Sequence, residues 1–331
     1  MTAPTSDTTF LARPAPRLNR MAILWIAAMY GGGLALLPLD EFLDRESYLR
    51  YAANSWDIFL QYWDSGVLIV LANEPLWLLI NAALGQIFSP EITLRVLIFV
   101  PATVVAYIVL TTEPRHFLWL LLILFVPQVI KNHVIHLRQG AAISVFLMGW
   151  FSPSRFRHWI LLSAAPMVHS SFFFILALLL MTGLFERLRL AADFRTLGVA
   201  SAGILVGTGL GWLATTIGAR QAEEYVFSSA PVSGLGFVFW SAMLIVFFLE
   251  GREFRRRYAF ECGIVVFYLS TYFLVEVTAR IFESGLVIVL LSGLALTGWR
   301  RQIHVALLLL YSMAYWMSRA GDPWMGFGIL T

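Results

Sequence analysis

The chain has 331 residues, of which 59% are hydrophobic and 13% charged, with a mean hydropathy of +0.77 and a formal net charge of +3. A soluble domain carries about twice that share of charge, so the composition excludes an ordinary globular fold and predicts an all-α polytopic membrane protein. The small positive excess sits in short loops, which suits topology determination and excludes a nucleic-acid partner; the single cysteine, Cys262, excludes an internal disulfide and a thiolate metal cluster.

Residues 1–20 are polar, with Pro4, Pro14, Pro16, Arg13, Arg17 and Arg20, and read as a disordered cytoplasmic tail that is not a signal peptide. Residues 21–331 read as a single transmembrane domain, with apolar spans at 21–38, 66–88, 91–112, 116–130, 139–151, 158–183, 196–218, 233–250, 261–280, 285–298 and 302–318. That predicts roughly ten or eleven transmembrane or re-entrant helices. Spans 116–130 and 139–151 are too short to cross simply, which implies broken or re-entrant helices shielded by protein.

Between the first two spans, residues 39–65 read as a periplasmic loop rich in acids and aromatics, including Asp44 and Tyr48. Such a mix fits a membrane belt, and also sugar recognition by stacking and by carboxylate–hydroxyl bonds. Span 66–88 is interrupted at Asn73-Glu74-Pro75, and span 158–183 at Pro166 and His169-Ser170-Ser171, where two half-helices are expected to meet. The arginines at 252 and 255–257, and at 300–301, mark cytoplasmic loops, which puts Arg280 and Arg138 on the periplasmic side. The N-terminal arginines and Arg115 then require one re-entrant segment, for which 66–88 is the candidate, unless the 113–116 loop does not lie inside. Gly207-x-Gly209-x-Gly211 reads as a helix-packing face and Glu223-Glu224-Tyr225 as a short outside loop; His133 and His136 read as solvated or structural residues of a turn.

The segment His136-Leu137-Arg138-Gln139-Gly140-Ala141-Ala142 places a guanidinium where an apolar helix begins. An ionisable group beside hydrocarbon marks a functional site or a wet cavity unless it merely snorkels to the interface. In order, Asp44-x-x-x-Tyr48, Glu74-Pro75, Leu137-Arg138-Gln139, His169-Ser170-Ser171 and a late Arg280 form a set. This set resembles the EpsG-like branch of bacterial polysaccharide polymerases, the Wzy-type enzymes, over roughly residues 40 to 285.

The resemblance implies a GT-C-like, all-helical glycosyltransferase of the inner membrane, its site facing the periplasm. It implies a polyprenyl-diphosphate-linked oligosaccharide donor and a second lipid-linked unit as acceptor, with a chain-length regulator and a flippase as further partners. No metal and no cofactor is called for. Such transfer needs a stabilised leaving diphosphate and a deprotonated acceptor hydroxyl. Arg138 and Arg280 are the candidates for the first need, Glu74 and His169 for the second, with base and binder not divided between them. Asp44, Tyr48 and Gln139 are expected to bind substrate. Rival functions are a lipid-carrier flippase or transporter, whose charges also sit in broken helices, and a membrane acyltransferase recruiting His169.

Overall fold

The computed structural model describes residues 19–216 and 233–329. Most of the N-terminal tail and the Glu223-Glu224-Tyr225 segment therefore lie outside the described residues. Within them the chain forms sixteen α-helices, and its β structure is one isolated antiparallel bridge between Phe42 and Gly328. The all-helical expectation holds.

Helix α1 (Arg20–Ala35) starts at Asn19, whose side chain accepts from the Met21 amide, and packs along α5 (Pro90–Thr112). Ser89 caps α5 by accepting from the Ile92 amide, and Pro90 occupies its first turn, where a missing N–H is harmless. Residues 39–65 are not a loop. After a short stretch they form α2 (Arg45–Ser65), a 21-residue helix that ends at Gly66 with φ +117°. Arg45, Tyr48, Ala52 and Ser55, spaced at helical intervals, form its buried face. That face packs on α4 (Pro75–Gly85), while the acids point outward.

The expected interruption of span 66–88 is present: α3 (Val67–Ala72) stops and α4 starts at Pro75. The run 114–134 is also broken, into a segment ending in α6 (Phe117–Leu124) and α7 (Pro127–Val134), bent by 65°. The re-entrant candidate 66–88 is thus discontinuous, and so is the run that follows Arg115. Helix α8 (Leu137–Trp150) follows and packs against α9 (Arg155–Val168) and α5. Of the two readings for His133 and His136, solvated or structural, burial favours the structural one. His133 is buried within α7, and His136 precedes α8 with Nδ1 3.6 Å from Glu283.

Span 158–183 divides into α9 and α10 (Phe172–Arg187) at His169–Ser171, as expected. Helices α11 (Ala192–Thr216) and α12 (Leu235–Leu249) follow. Residues 252–257, read as a cytoplasmic loop, are a short helix, α13 (Arg252–Arg257), and Arg255 pairs with Asp193 at 2.6 Å. Span 261–280 ends early: α14 (Ala259–Thr271) stops where the Thr278 hydroxyl donates to the Thr271 carbonyl, and α15 (Thr278–Ser292) begins there. Arg280 is therefore in the first turn of α15, not near the end of the preceding span. Helix α16 (Gly298–Ser318) closes the fold.

By length and composition, α5 and Thr278–Ala295 are each sufficient to cross a bilayer, and the bent 114–134 pair adds a third if it is one span. The remaining apolar helices, such as α12 and α14, are shorter, because proline, glycine and polar breaks divide the long runs. One apolar core runs from Ile23 to Leu308 and joins nearly all of them. Cys262 is buried as a free thiol; of the anticipated glycine face, Gly207 packs against Leu274 while a β-carbon at Gly209 would meet open space.

Gly140 permits the close approach of α8 to α7. A β-carbon there would collide with the Asn132 carbonyl and come within 2.9 Å of His133 Nδ1. Gly140→Ala is expected to lower thermal stability by about 1–3 kcal/mol through overpacking. Thermal unfolding of the detergent-purified protein checks this; an unchanged midpoint would show that the α7–α8 turn yields freely.

Candidate active site

Two broken helices meet at a buried carboxylate. Glu74 sits between α3 and α4 in the left-handed region (φ +60°, ψ 56°), immediately before Pro75. A β-carbon-bearing residue held there stores about 1–3 kcal/mol of strain, the kind found where a side chain must be aimed. Its carboxylate is only 3% exposed.

Every contact of that carboxylate comes from the start or end of a helix. Arg138 Nη1, in the first turn of α8, donates to Oε2 at 2.6 Å. His169, at the end of α9, places Nδ1 2.6 Å from Oε1. Ser170, just before α10, donates to the same oxygen from its amide at 3.2 Å and its hydroxyl at 3.4 Å. The starts of α4, α8 and α10 thus converge, and their partial positive charges favour an anion at this point. With Nδ1–H donating to Glu74, the imidazole keeps Nε2 as its acceptor.

Helix α2 forms the wall of this site. The Arg138 guanidinium lies 5.5 Å from the Tyr51 ring centre, and Tyr48 lies beside it. Tyr48 in turn meets Trp77 of α4 edge-on at 5.9 Å. Arg138 Nε is buried with no hydrogen-bond partner, so part of the fork is not consumed by Glu74. Asp44, at the start of α2, is exposed on the outer edge, close enough to act on Tyr48 electrostatically.

A second polar layer lies against α15. Gln139 is buried and donates from Nε2 to the Arg280 carbonyl at 2.7 Å and to Ser284 Oγ at 3.0 Å. Ser171 shares a hydrogen bond with the same Ser284 at 2.7 Å. Gln139 therefore braces α8 against α15 one residue from Arg138. The Arg280 side chain acts electrostatically on His136. Glu283 pairs with Lys131 at 3.4 Å and lies 3.6 Å from His136 Nδ1.

All seven residues singled out from the sequence therefore sit around one region. Glu74, Arg138 and His169 touch, Tyr48 adjoins them, Gln139 and Arg280 stand behind, and Asp44 is at the rim. Sequence reasoning took Tyr51 only as one aromatic of the 39–65 segment, and did not reach its contact with Arg138 or the Lys131–Glu283–His136 cluster. Tyr51 lies one helical step from Tyr48 once 45–65 is recognised as a helix; the cluster joins residues far apart in sequence and left no local signal.

The model of one protein family, the EpsG family, matches residues 39–325 of the 331. The chain belongs to the EpsG family. No curated protein and no solved structure matches it. The EpsG match takes in every residue of the site and begins just before α2. EpsG membership, together with the apolar helices, points to a membrane-embedded polymerase of polysaccharide biosynthesis acting on lipid-linked saccharides.

Proposed function

We propose that the protein transfers a growing glycan from its polyprenyl-diphosphate carrier to a hydroxyl of a second lipid-linked repeat unit, at a site open to the periplasmic side of the inner membrane. The observation that carries this reading is the Glu74 carboxylate holding Arg138 and His169 each at 2.6 Å within an apolar bundle.

The chemistry follows from how that carboxylate is used. Glu74 spends both oxygens on charged or N–H donors, which makes it a poor proton acceptor and a good orienter. His169 is then the base, which assigns the roles that the sequence left undivided. Its Nε2 takes the acceptor hydroxyl proton, and Glu74 stabilises the imidazolium that forms. The acceptor oxygen bonds to the donor's anomeric carbon as the carbon–oxygen bond to the diphosphate breaks. The electron pair leaves on the diphosphate, whose growing charge is met by the free part of the Arg138 fork, by Arg280 and by the converging helix starts. One displacement without a covalent intermediate inverts the anomeric centre. The reaction as written is metal-independent. In this reading Asp44 and Tyr48 bind sugar hydroxyls, and Gln139 positions Arg138.

The test is complementation of a deletion strain with wild type, Arg138→Ala or Arg138→Lys at matched membrane levels, with polymer length read on a gel. A ladder from wild type and single repeat units from both variants is expected, since lysine lacks the planar fork. A ladder from both variants would overturn the role of Arg138. Deletion that instead stops lipid-linked units from reaching the periplasm would favour a flippase, and loss of acyl groups from full-length polymer an acyltransferase.

A further inference from the structure

Arg45 carries a charge that nothing around it answers. It is the first residue of α2 and only 2% exposed, and Nε, Nη1 and Nη2 are all buried without a hydrogen-bond partner among the described residues. Its guanidinium folds back beyond the helix start to lie 5.3 Å over the Phe42 ring, which is itself buried and bridged to Gly328. Arg95, a charge of the same sign, acts on it electrostatically and donates from Nη1 to the Ala35 and Leu37 carbonyls. The start of α2 adds further positive character, since Asp44, with φ +62°, makes no side-chain cap bond.

Burial of a guanidinium with no acceptor costs several kcal/mol by general experience, and natural folds accept that only where an anion answers it. The Lys131–Glu283–His136 cluster shows the contrast, because it contains its own carboxylate. At Arg45 and Arg95, two like charges and an uncapped helix start converge, and one carboxylate would supply a single negative charge. A phosphoryl group brings more charge and a set of oxygens that suits a planar fork.

We propose that Arg45 and Arg95 bind a phosphoryl group of a lipid headgroup, the diphosphate of the acceptor substrate. The assignment to acceptor is supported by Tyr48, one turn along α2, which acts electrostatically on both Arg45 and Arg138. The reaction proposed above needs two lipid diphosphates at once, and Arg138 serves the donor. The assignment to acceptor rests on that reading; the anion site does not.

The experiment uses the full chain in phosphatidylcholine nanodiscs, with farnesyl diphosphate and inorganic pyrophosphate as probes. With Arg138→Ala in place to remove the donor site, the protein is expected to bind farnesyl diphosphate, and adding Arg45→Gln to weaken that binding by about tenfold or more, the effect of losing a charge-assisted hydrogen bond. Without probe, Arg45→Gln is expected to melt at a higher temperature, because it removes a buried, unanswered charge. Equal Arg45-dependent binding of pyrophosphate would keep the anion site and make free phosphate its ligand. Loss of probe binding on adding phosphatidylglycerol to the disc would make an annular lipid the ligand.

Probe binding unchanged on adding Arg45→Gln overturns the proposal, as does a lower melting temperature with binding intact. If Arg45→Gln does not accumulate, Arg45→Lys takes its place: a loss of about tenfold is expected from the missing fork, and unchanged binding overturns the site. Polymer formation by wild type separates the two claims. Arg45-dependent binding with no polymer from wild type keeps the anion site and refutes the polymerase, while polymer from wild type with Arg45-independent binding does the reverse.

Discussion

Glu74→Gln is expected to abolish polymer formation and to destabilise the fold as well. The amide keeps the shape of the side chain but removes the charge that answers Arg138 and orients His169, both 2.6 Å away. Breaking a buried pair by neutralising one partner costs about 3–5 kcal/mol, because the other charge is left unpaired in a poorly polarisable interior. Loss of the oriented base lowers the rate by about 10²–10⁴. Stability and activity separate in the double variant Glu74→Met, Arg138→Met. Removing both partners restores much of the stability, since an apolar pair of similar volume carries no desolvation penalty. It should not restore polymer. Thermal unfolding together with gel analysis of chain length checks both halves, and a double variant that polymerises would reduce the pair to a structural brace.

His169→Ala should separate chemistry from folding more cleanly. Its ring is 13% exposed and its one described partner is Glu74. Removing it leaves the Glu74–Arg138 pair and the Ser170 contacts in place. The turnover rate is expected to fall by about 10²–10⁴ while the apparent affinity for donor stays near that of wild type. A large loss of donor affinity at an unchanged turnover rate would make His169 a binding residue and leave the base unidentified.

The centre of the site was legible because Glu74, Arg138 and His169 each interrupt or begin an apolar run. Glu74 precedes Pro75, His169 falls at a polar break, and Arg138 begins a helix of small residues. A polar group in such a place demands a partner, so the sequence points to each residue singly. It does not say that they touch, since the contact between Glu74 and His169 joins helix ends 95 positions apart. Helix α2 was lost for a different reason. Hydropathy registers its many charges and reads a loop, whereas the spacing of Arg45, Tyr48, Ala52 and Ser55 carries the helical period. With α2 read as a loop, Arg45 was one charge among many. Only its burial beneath the start of that helix distinguishes it. Arg280 was misplaced within its span because the break after Thr271 is made by a threonine side chain, which hydropathy does not weigh.

The central claim is that the Glu74–Arg138–His169 cluster performs glycosyl transfer between lipid-linked units. The most direct measurement is reconstitution of the purified full-length protein in liposomes with polyprenyl-diphosphate-linked repeat units as the sole substrate. Polymer length is then followed for wild type and His169→Ala at equal protein content. The account predicts a growing ladder from wild type, with release of polyprenyl diphosphate, and no ladder from His169→Ala. A ladder of wild-type length from His169→Ala, or none from a folded wild type, would contradict it.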